Sequence, residues 1–231
     1  MKICVYSIAK NEEQHVHRWY ESAKDADVLL IGDTGSSDNT IQLSKELGIT
    51  TVELDIPEFR FDVAKNELLK HVDADVYINL DLDETLLGDW RSVVEKNYPF
   101  DILNVRYRRP NGESKSVSKI HNRNVRWYGS IHEFLSGGST KRSDLVLYKH
   151  TPDLTKDRSN YLDLLRYSVY NEFYDENRAF NLYQYALMLR DRKEFGEAYT
   201  ILQAAAYECI ENSPSNFEMI KKMIQEMKNE C

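Results

Sequence analysis

From Ile3 to Leu80 the chain alternates short apolar runs with stretches of three-to-four-residue hydrophobic spacing. Ile3 to Ile8 is β-branched and apolar, a polar turn follows at Lys10 and Asn11, and Glu12 to Ala23 has helical spacing. This predicts a strand and then a helix. Val28 to Ile31 repeats the strand signal, and the segment GDTGSSDNT places Ser and Asp to cap a helix running to Leu47. A strand at Thr51 to Leu54, a helix from Phe61 to His71 and a strand at Val76 to Leu80 complete the series, which ends in DLDET. Strands alternating with helices at this pitch predict an α/β, doubly wound, mostly parallel sheet.

After Trp90 the alternation stops. Ile102 to Arg108 and Ser116 to Asn122 read as extended segments around the turn Pro110-Asn111-Gly112, a predicted hairpin, and Leu145 to Tyr148 as a last short strand. From about Arg158 the spacing is helical again. Ala186, Ala198 and Ala205 fall at the small-residue spacing at which tetratricopeptide helices cross closely, although an ordinary helical hairpin has the same signature. Nine of the 15 tyrosines lie between Tyr148 and Tyr207, and those of the tail are expected to line its core and grooves.

Composition narrows the class. The 231 residues are 42% hydrophobic and 29% charged, as expected of a soluble globular protein of one domain with a small appendage. A formal net charge of −8 argues against a general nucleic-acid binder. Against that background, Arg106 to Arg126 holds seven basic residues and one acid, a local patch read as a wall for an anionic acceptor, a contact for a diphosphate, or a solvated hairpin. Cys4, Cys209 and Cys231 lack disulfide-framework or zinc spacing, and no apolar stretch approaches the ~20 residues that span a bilayer. A cytoplasmic protein without a transmembrane segment is the expectation.

The chemistry is concentrated where predicted strands end, at Asp33 to Thr40 and Asp81 to Thr85. In open α/β sheets ligands bind beyond the carboxyl ends of the strands. Asp81-Leu82-Asp83 after an apolar strand lets two carboxylates converge on one hard cation, Mg²⁺ or Mn²⁺. The same DLDET also matches the nucleophile motif of haloacid-dehalogenase phosphatases, with Asp81 attacking phosphorus. That reading lacks a convincing downstream acidic pair and leaves the first 75 residues unexplained.

Four ordered segments account for those residues: Ile8-Ala9-Lys10-Asn11-Glu12-Glu13, then GDTGSSDNT after Ile31, then FDVAKNELL from Phe61, then Asp81-Leu82-Asp83-Glu84. In order and spacing they resemble the family 2 glycosyltransferases, in particular a branch with a tetratricopeptide-like tail. The resemblance implies a GT-A fold, a Rossmann-like α/β nucleotide-sugar-binding domain with a mostly parallel central sheet over residues 1–155, followed by a small all-helical region over 156–231. It implies a UDP-sugar donor held by Ser7, Ala9, Glu12 and Asp33, with Asp33 accepting a uracil N–H. Lys65 stands where Arg is commoner near the diphosphate, and a lysine delivers a point charge without a bidentate fork. Asp81 and Asp83 match the metal motif, with Mn²⁺ favoured over Mg²⁺ if His150 is a third ligand, since imidazole suits Mn²⁺ better. Lys156 and Arg158, with Asn160, are placed over the diphosphate as a lid.

Downstream, Trp127-Tyr128-Gly129-Ser130-Ile131-His132-Glu133 is similar to the branch's Gly-x-Ile-His-Glu segment. Glu133 is then the expected general base, with Asp144 a poorer substitute, and Trp127, His132 and Arg123 the expected substrate contacts. The implied reaction is inverting transfer of a sugar such as glucose to an acceptor that the sequence leaves open, be it glycan, lipid-linked sugar or protein. A phosphatase, and a noncatalytic scaffold binding a partner through its tail, are the alternatives from other classes.

Overall fold

The computed structural model describes residues 1–151, 159–172, 177–212 and 214–227. Through Asn79 the elements follow the hydrophobic pattern: β1 (Ile3–Ala9), α1 (Glu13–Ala23), β2 (Val28–Asp33), α2 (Thr40–Glu46), β3 (Thr50–Glu53), α3 (Phe61–Leu69) and β4 (Val76–Asn79). The α2 cap comes from Asp38, whose carboxylate accepts from Thr40 N at 3.0 Å and Thr40 Oγ1 at 2.5 Å, while the Asn39 side chain takes no part. Beyond Leu80 the chain adds elements the pattern does not announce: β5 (Glu84–Leu86) and α4 (Trp90–Asn97). The hairpin follows as β6 (Ile102–Arg108) and β7 (Ser114–Asn122). A small pair, β8 (Arg126–Tyr128) and β9 (Phe134–Ser136), brackets the Gly-x-Ile-His-Glu segment, and β10 (Thr140–His150) follows. The expected four-residue last strand is therefore eleven residues long. Two register shifts against β6, around Val146, break the alternation by which its length would be read.

The eight strands order as β3-β2-β1-β4-β7-β6-β10-β5. Only β7 and β5 run against the others, so the sheet is mixed but mostly parallel. Alternate residues of the central strands feed two cores, one on each face. Ile3, Val5, Ile31 and Ile78 pack with Trp19 of α1 and Trp90 and Val94 of α4, while Cys4, Tyr6, Leu30 and Tyr77 pack with Leu68 of α3. Trp19 is fully buried and its Nε1–H donates to the carbonyl of Leu80 at 2.7 Å, pinning the exit of β4 to α1. Burial of a large apolar side chain contributes about 1.5–3 kcal/mol, so each such residue in these two cores stabilises the sheet. Burial pushes the Cys4 thiol up to about 12, which makes it an inert core residue.

The chain divides into two compact units, Met1–Trp127 with Leu135–Lys156, and Tyr128–Phe134 with Asp157–Cys231. The second unit contains α5 (Tyr161–Asn171), α6 (Arg178–Asp191), α7 (Phe195–Asn212) and α8 (Pro214–Met227). Residues 192–194 turn the chain between α6 and α7, with Lys193 in the left-handed region. Ala186, Ala198 and Ala205 are all fully buried. The tail tyrosines divide otherwise than expected: Tyr185 is buried, whereas Tyr167, Tyr170 and Tyr207 are exposed, the last by 71%. Among the described residues no helix is long and apolar enough to cross a membrane.

Candidate active site

The carboxyl ends of β1, β2 and β4 lie side by side, because Ala9 pairs with Asp33 and Tyr6 with Asn79 in parallel register. The polar turns leaving β1 and β2 interlock. Asn11 Oδ1 accepts from Ser37 N at 2.7 Å, Glu13 Oε2 accepts from Asn39 N at 2.9 Å, and Asp38 Oδ2 accepts from Glu13 N at 3.0 Å. Asp33 accepts from the backbone of Gly35 and Ser36 at 3.1–3.2 Å. Gly35 permits that tight return at φ +99°, a conformation that costs a residue with a Cβ. Much of the polar residue density in AKNEE and GDTGSSDNT is thus spent on holding a rigid shelf at the strand ends.

Beside the shelf, the turn after β4 folds back as β5, which pairs antiparallel with β10 so that Glu84 stands opposite His150. Thr151 N donates to the carbonyl of Asp83 at 2.9 Å. His150 Nε2 consequently lies 3.3 Å from Asp83 Oδ2, although the two are 67 positions apart. Asp81 takes a different partner: Lys119 Nζ donates to its Oδ2 at 2.7 Å and to both oxygens of Glu84 at 2.8 Å. Burial opposes the charge on Lys119, but the Asp81 and Glu84 carboxylates outweigh it and hold the ammonium well above the ordinary lysine range.

Two of the residues, Asp83 and His150, are spaced as adjacent ligands of a divalent ion would be. Adjacent donors on an octahedral ion with ligand distances of about 2.1 Å stand about 3 Å apart, close to the Asp83–His150 separation. Among the described residues no group of three or more His, Cys, Asp or Glu side chains is arranged to hold a metal ion. Such an ion would draw its remaining ligands from outside the protein, as phosphate-bound magnesium commonly does.

Other expected site residues are placed less directly. Ser7 and Ala9 are buried in β1, and the Ser7 hydroxyl donates to the carbonyl of Ile8. Glu12 is buried with its carboxylate 3.8 Å from His15 Nε2. Lys65 does not present its charge to solvent: its Nζ donates to Asn79 Oδ1 at 2.9 Å and lies 4.3 Å over the Trp127 ring. Trp127 is itself buried, in a small cluster with Ile102, Val125 and Leu135, and its Nε1–H donates to Tyr6 Oη at 2.5 Å. Arg123 pairs with Asp73 at 3.1 Å and Asp75 at 3.8 Å, which precede β4, so it sits at the opposite end of that strand from Asp81. Lys156 and Arg158 lie outside the described residues.

Glu133 and His132 belong to the second unit. His132 adopts φ +53°, and its Nδ1 lies 2.8 Å from Oδ1 of the fully buried Asn181, while Asn177 Nδ2 donates to its carbonyl at 2.7 Å. Ser130 N and Oγ both donate to Glu172 at 2.9 Å. The segment is held on α5 and α6 by polar side chains of those helices and of the residues flanking them.

Sequence reasoning missed Glu84, Lys119, Asn181 and Glu172 as parts of these arrangements. Lys119 was visible in the basic stretch, but not as one residue apart from its neighbours. Arg109 pairs with Glu113 at 3.8 Å, Arg106 donates to the carbonyl of Ser114, and Arg126 donates to the carbonyls of Arg123 and Val125. Much of the patch is therefore consumed within the fold.

The family profile described as glycosyl transferase family 2 matches residues 4–156, two-thirds of the chain. The chain belongs to this family. It is a glycosyltransferase, and the curled mixed sheet is that of the GT-A members. S. aureus TarS 1–349, solved in complex with UDP-GlcNAc, superposes with a TM-score of 0.57 at 14% identity, covering 100% of this chain and 88% of that one. A longer structure of S. aureus TarS gives a TM-score of 0.56 at 13% identity, again over all of this chain but 53% of that one. A mycobacterial protein gives 0.50 at 15% identity, covering 71% of this chain and 70% of that one. At such identities the likeness is one of fold. No curated protein is close enough in sequence to count as a match.

Proposed function

We propose that this glycosyltransferase moves a hexose from a UDP-sugar, UDP-glucose or a close relative such as UDP-GlcNAc, to an acceptor hydroxyl with inversion at C1. The reading rests on one observation above all: in a family 2 chain, Asp83 and His150 meet at 3.3 Å at the carboxyl edge of the sheet, beside Asp81. Asp83 and His150 would hold a divalent ion, Mn²⁺ in preference to Mg²⁺ because one donor is imidazole. When bound, such an ion neutralises charge that builds on the departing diphosphate.

The chain's own residues do the rest. Asp33 keeps lone pairs beyond those given to Gly35 and Ser36, and these accept the uracil N–H. Lys156 and Arg158 add positive charge toward the diphosphate. Glu133 removes one proton from the acceptor hydroxyl as it attacks, a role carried by its place in the Gly-x-Ile-His-Glu segment. The fully buried Ala186, Ala198 and Ala205 support a tetratricopeptide-like pairing of α6 and α7. Neither the phosphatase nor the scaffold reading is favoured by an observation, since the family match absorbs the DLDET motif.

Calorimetric titration of UDP, GDP and dTDP, each with and without Mn²⁺, tests the donor class. UDP should bind most tightly and more tightly with Mn²⁺; a chain indifferent to UDP under both conditions would overturn the reading.

A further inference from the structure

Lys119 is the extra residue of a β-bulge. On β6 the consecutive residues Leu103 and Asn104 pair with Ile120 and Ser118, so Lys119 has no cross-strand partner on that side. A bulge re-aims the side chain it carries, and here the chain uses it to send an ammonium under the turn after β4. The Lys119 side chain is 17% exposed and that of Glu84 4% exposed, so neither charge is solvated well enough to stand alone. The two neutralise each other. Lys119 Nζ also reaches the more open Asp81, at 2.7 Å.

We propose that Lys119 is an internal counter-cation that competes with a divalent metal for the Asp81 carboxylate and so sets how tightly the metal site loads. This inference rests on the metal-site reading given above. Asp81, Asp83 and Glu84 are three acids within four consecutive residues, and a lysine already bonded to two of them lowers the negative potential that a cation meets there. Full engagement of Asp81 by a metal requires this contact to be released. The site thereby keeps its shape before loading, and its affinity for the bare ion stays below that of the same carboxylates without a resident cation.

The test measures free Mn²⁺ by electron paramagnetic resonance during titration of the nucleotide-free protein. Lys119→Gln should bind Mn²⁺ about tenfold more tightly than the wild type or better, because a resident positive charge close to the ion is gone. Lys119→Arg, which keeps the charge, should stay near the wild type. Unchanged or weaker binding in Lys119→Gln, with wild-type binding still lost in Asp83→Ala, would make Lys119 a structural residue only and overturn the proposal. Wild-type binding that is insensitive to Asp83→Ala would instead overturn the metal-site reading. Should Lys119→Gln fail to fold, Lys119→Met, which keeps the length of the side chain and removes only its charge, must bind Mn²⁺ more tightly than the wild type; weaker or equal binding sinks the idea.

Discussion

His150 Nε2 lies 3.3 Å from Asp83 Oδ2, and the contact exists because β5 turns the chain back onto β10. A three-residue strand thus brings the end of the sheet's last long strand to the motif that follows β4. The two aspartates of the motif thus have different partners, His150 for Asp83 and Lys119 for Asp81.

His150→Ala should weaken Mn²⁺ binding by at least about tenfold, a loss that even supporting partners of metal ligands commonly produce. Its thermal stability should stay near that of the wild type, because the histidine is partly exposed at the end of β10 and lies outside the apolar cores. Calorimetry with Mn²⁺ alongside a melting curve checks both statements.

Glu133→Gln preserves size and removes only the ability to take up a proton. Binding of a UDP-sugar should be retained while transfer falls by about 10²–10⁴-fold, the usual contribution of a positioned base. Transfer at a near wild-type rate would place the base elsewhere.

The elements through β4 were legible because each strand is a short apolar run and each helix an amphipathic stretch, and both report their burial directly in sequence. Asp81, Asp83 and His150 stood out because they follow predicted strands, and the structure brings Asp83 and His150 within 3.3 Å of each other. What the sequence hid depends on contacts between distant segments. β5 is too short to show a period, the bulges of β7 and β10 break the alternation, and nothing local distinguishes Lys119, buried between two acids, from Arg109 at the exposed hairpin tip. The burial of Trp127, expected as a substrate contact, was not legible either, because nothing local in its segment reports it.

Trp127→Phe separates a structural role from a substrate contact. The variant keeps a ring beneath Lys65 but loses the donor to Tyr6 Oη, so it should cost about 1–3 kcal/mol of stability. The KM for a UDP-sugar should barely change; a large rise in KM with unchanged stability would return Trp127 to the substrate.

His121 makes stability pH-dependent. Burial, with repulsion from Arg126 and Lys65 added, lowers its pKa from 6.5 to about 4, so the buried imidazole is neutral at pH 7. Between those values the unfolded chain binds the proton more strongly than the folded one. The contribution of His121 is therefore complete above pH 6.5 and is lost as the pH falls toward 4, by about 3 kcal/mol at most. Urea denaturation at pH 7 and pH 4.5 should show this loss in the wild type and a smaller one in His121→Gln, whose amide can still accept from Tyr6 Oη. Equal losses in both proteins would count against the assignment.

The most direct measurement is nucleotide release from UDP-glucose and UDP-GlcNAc with Mn²⁺, with chelator, and in Asp83→Ala. The wild type should release UDP with Mn²⁺ and stop with chelator, and a folded Asp83→Ala should release none above background. Equal release by Asp83→Ala, or no release from any UDP-sugar by a wild type supplied with Mn²⁺ and a broad acceptor mixture, would contradict the account.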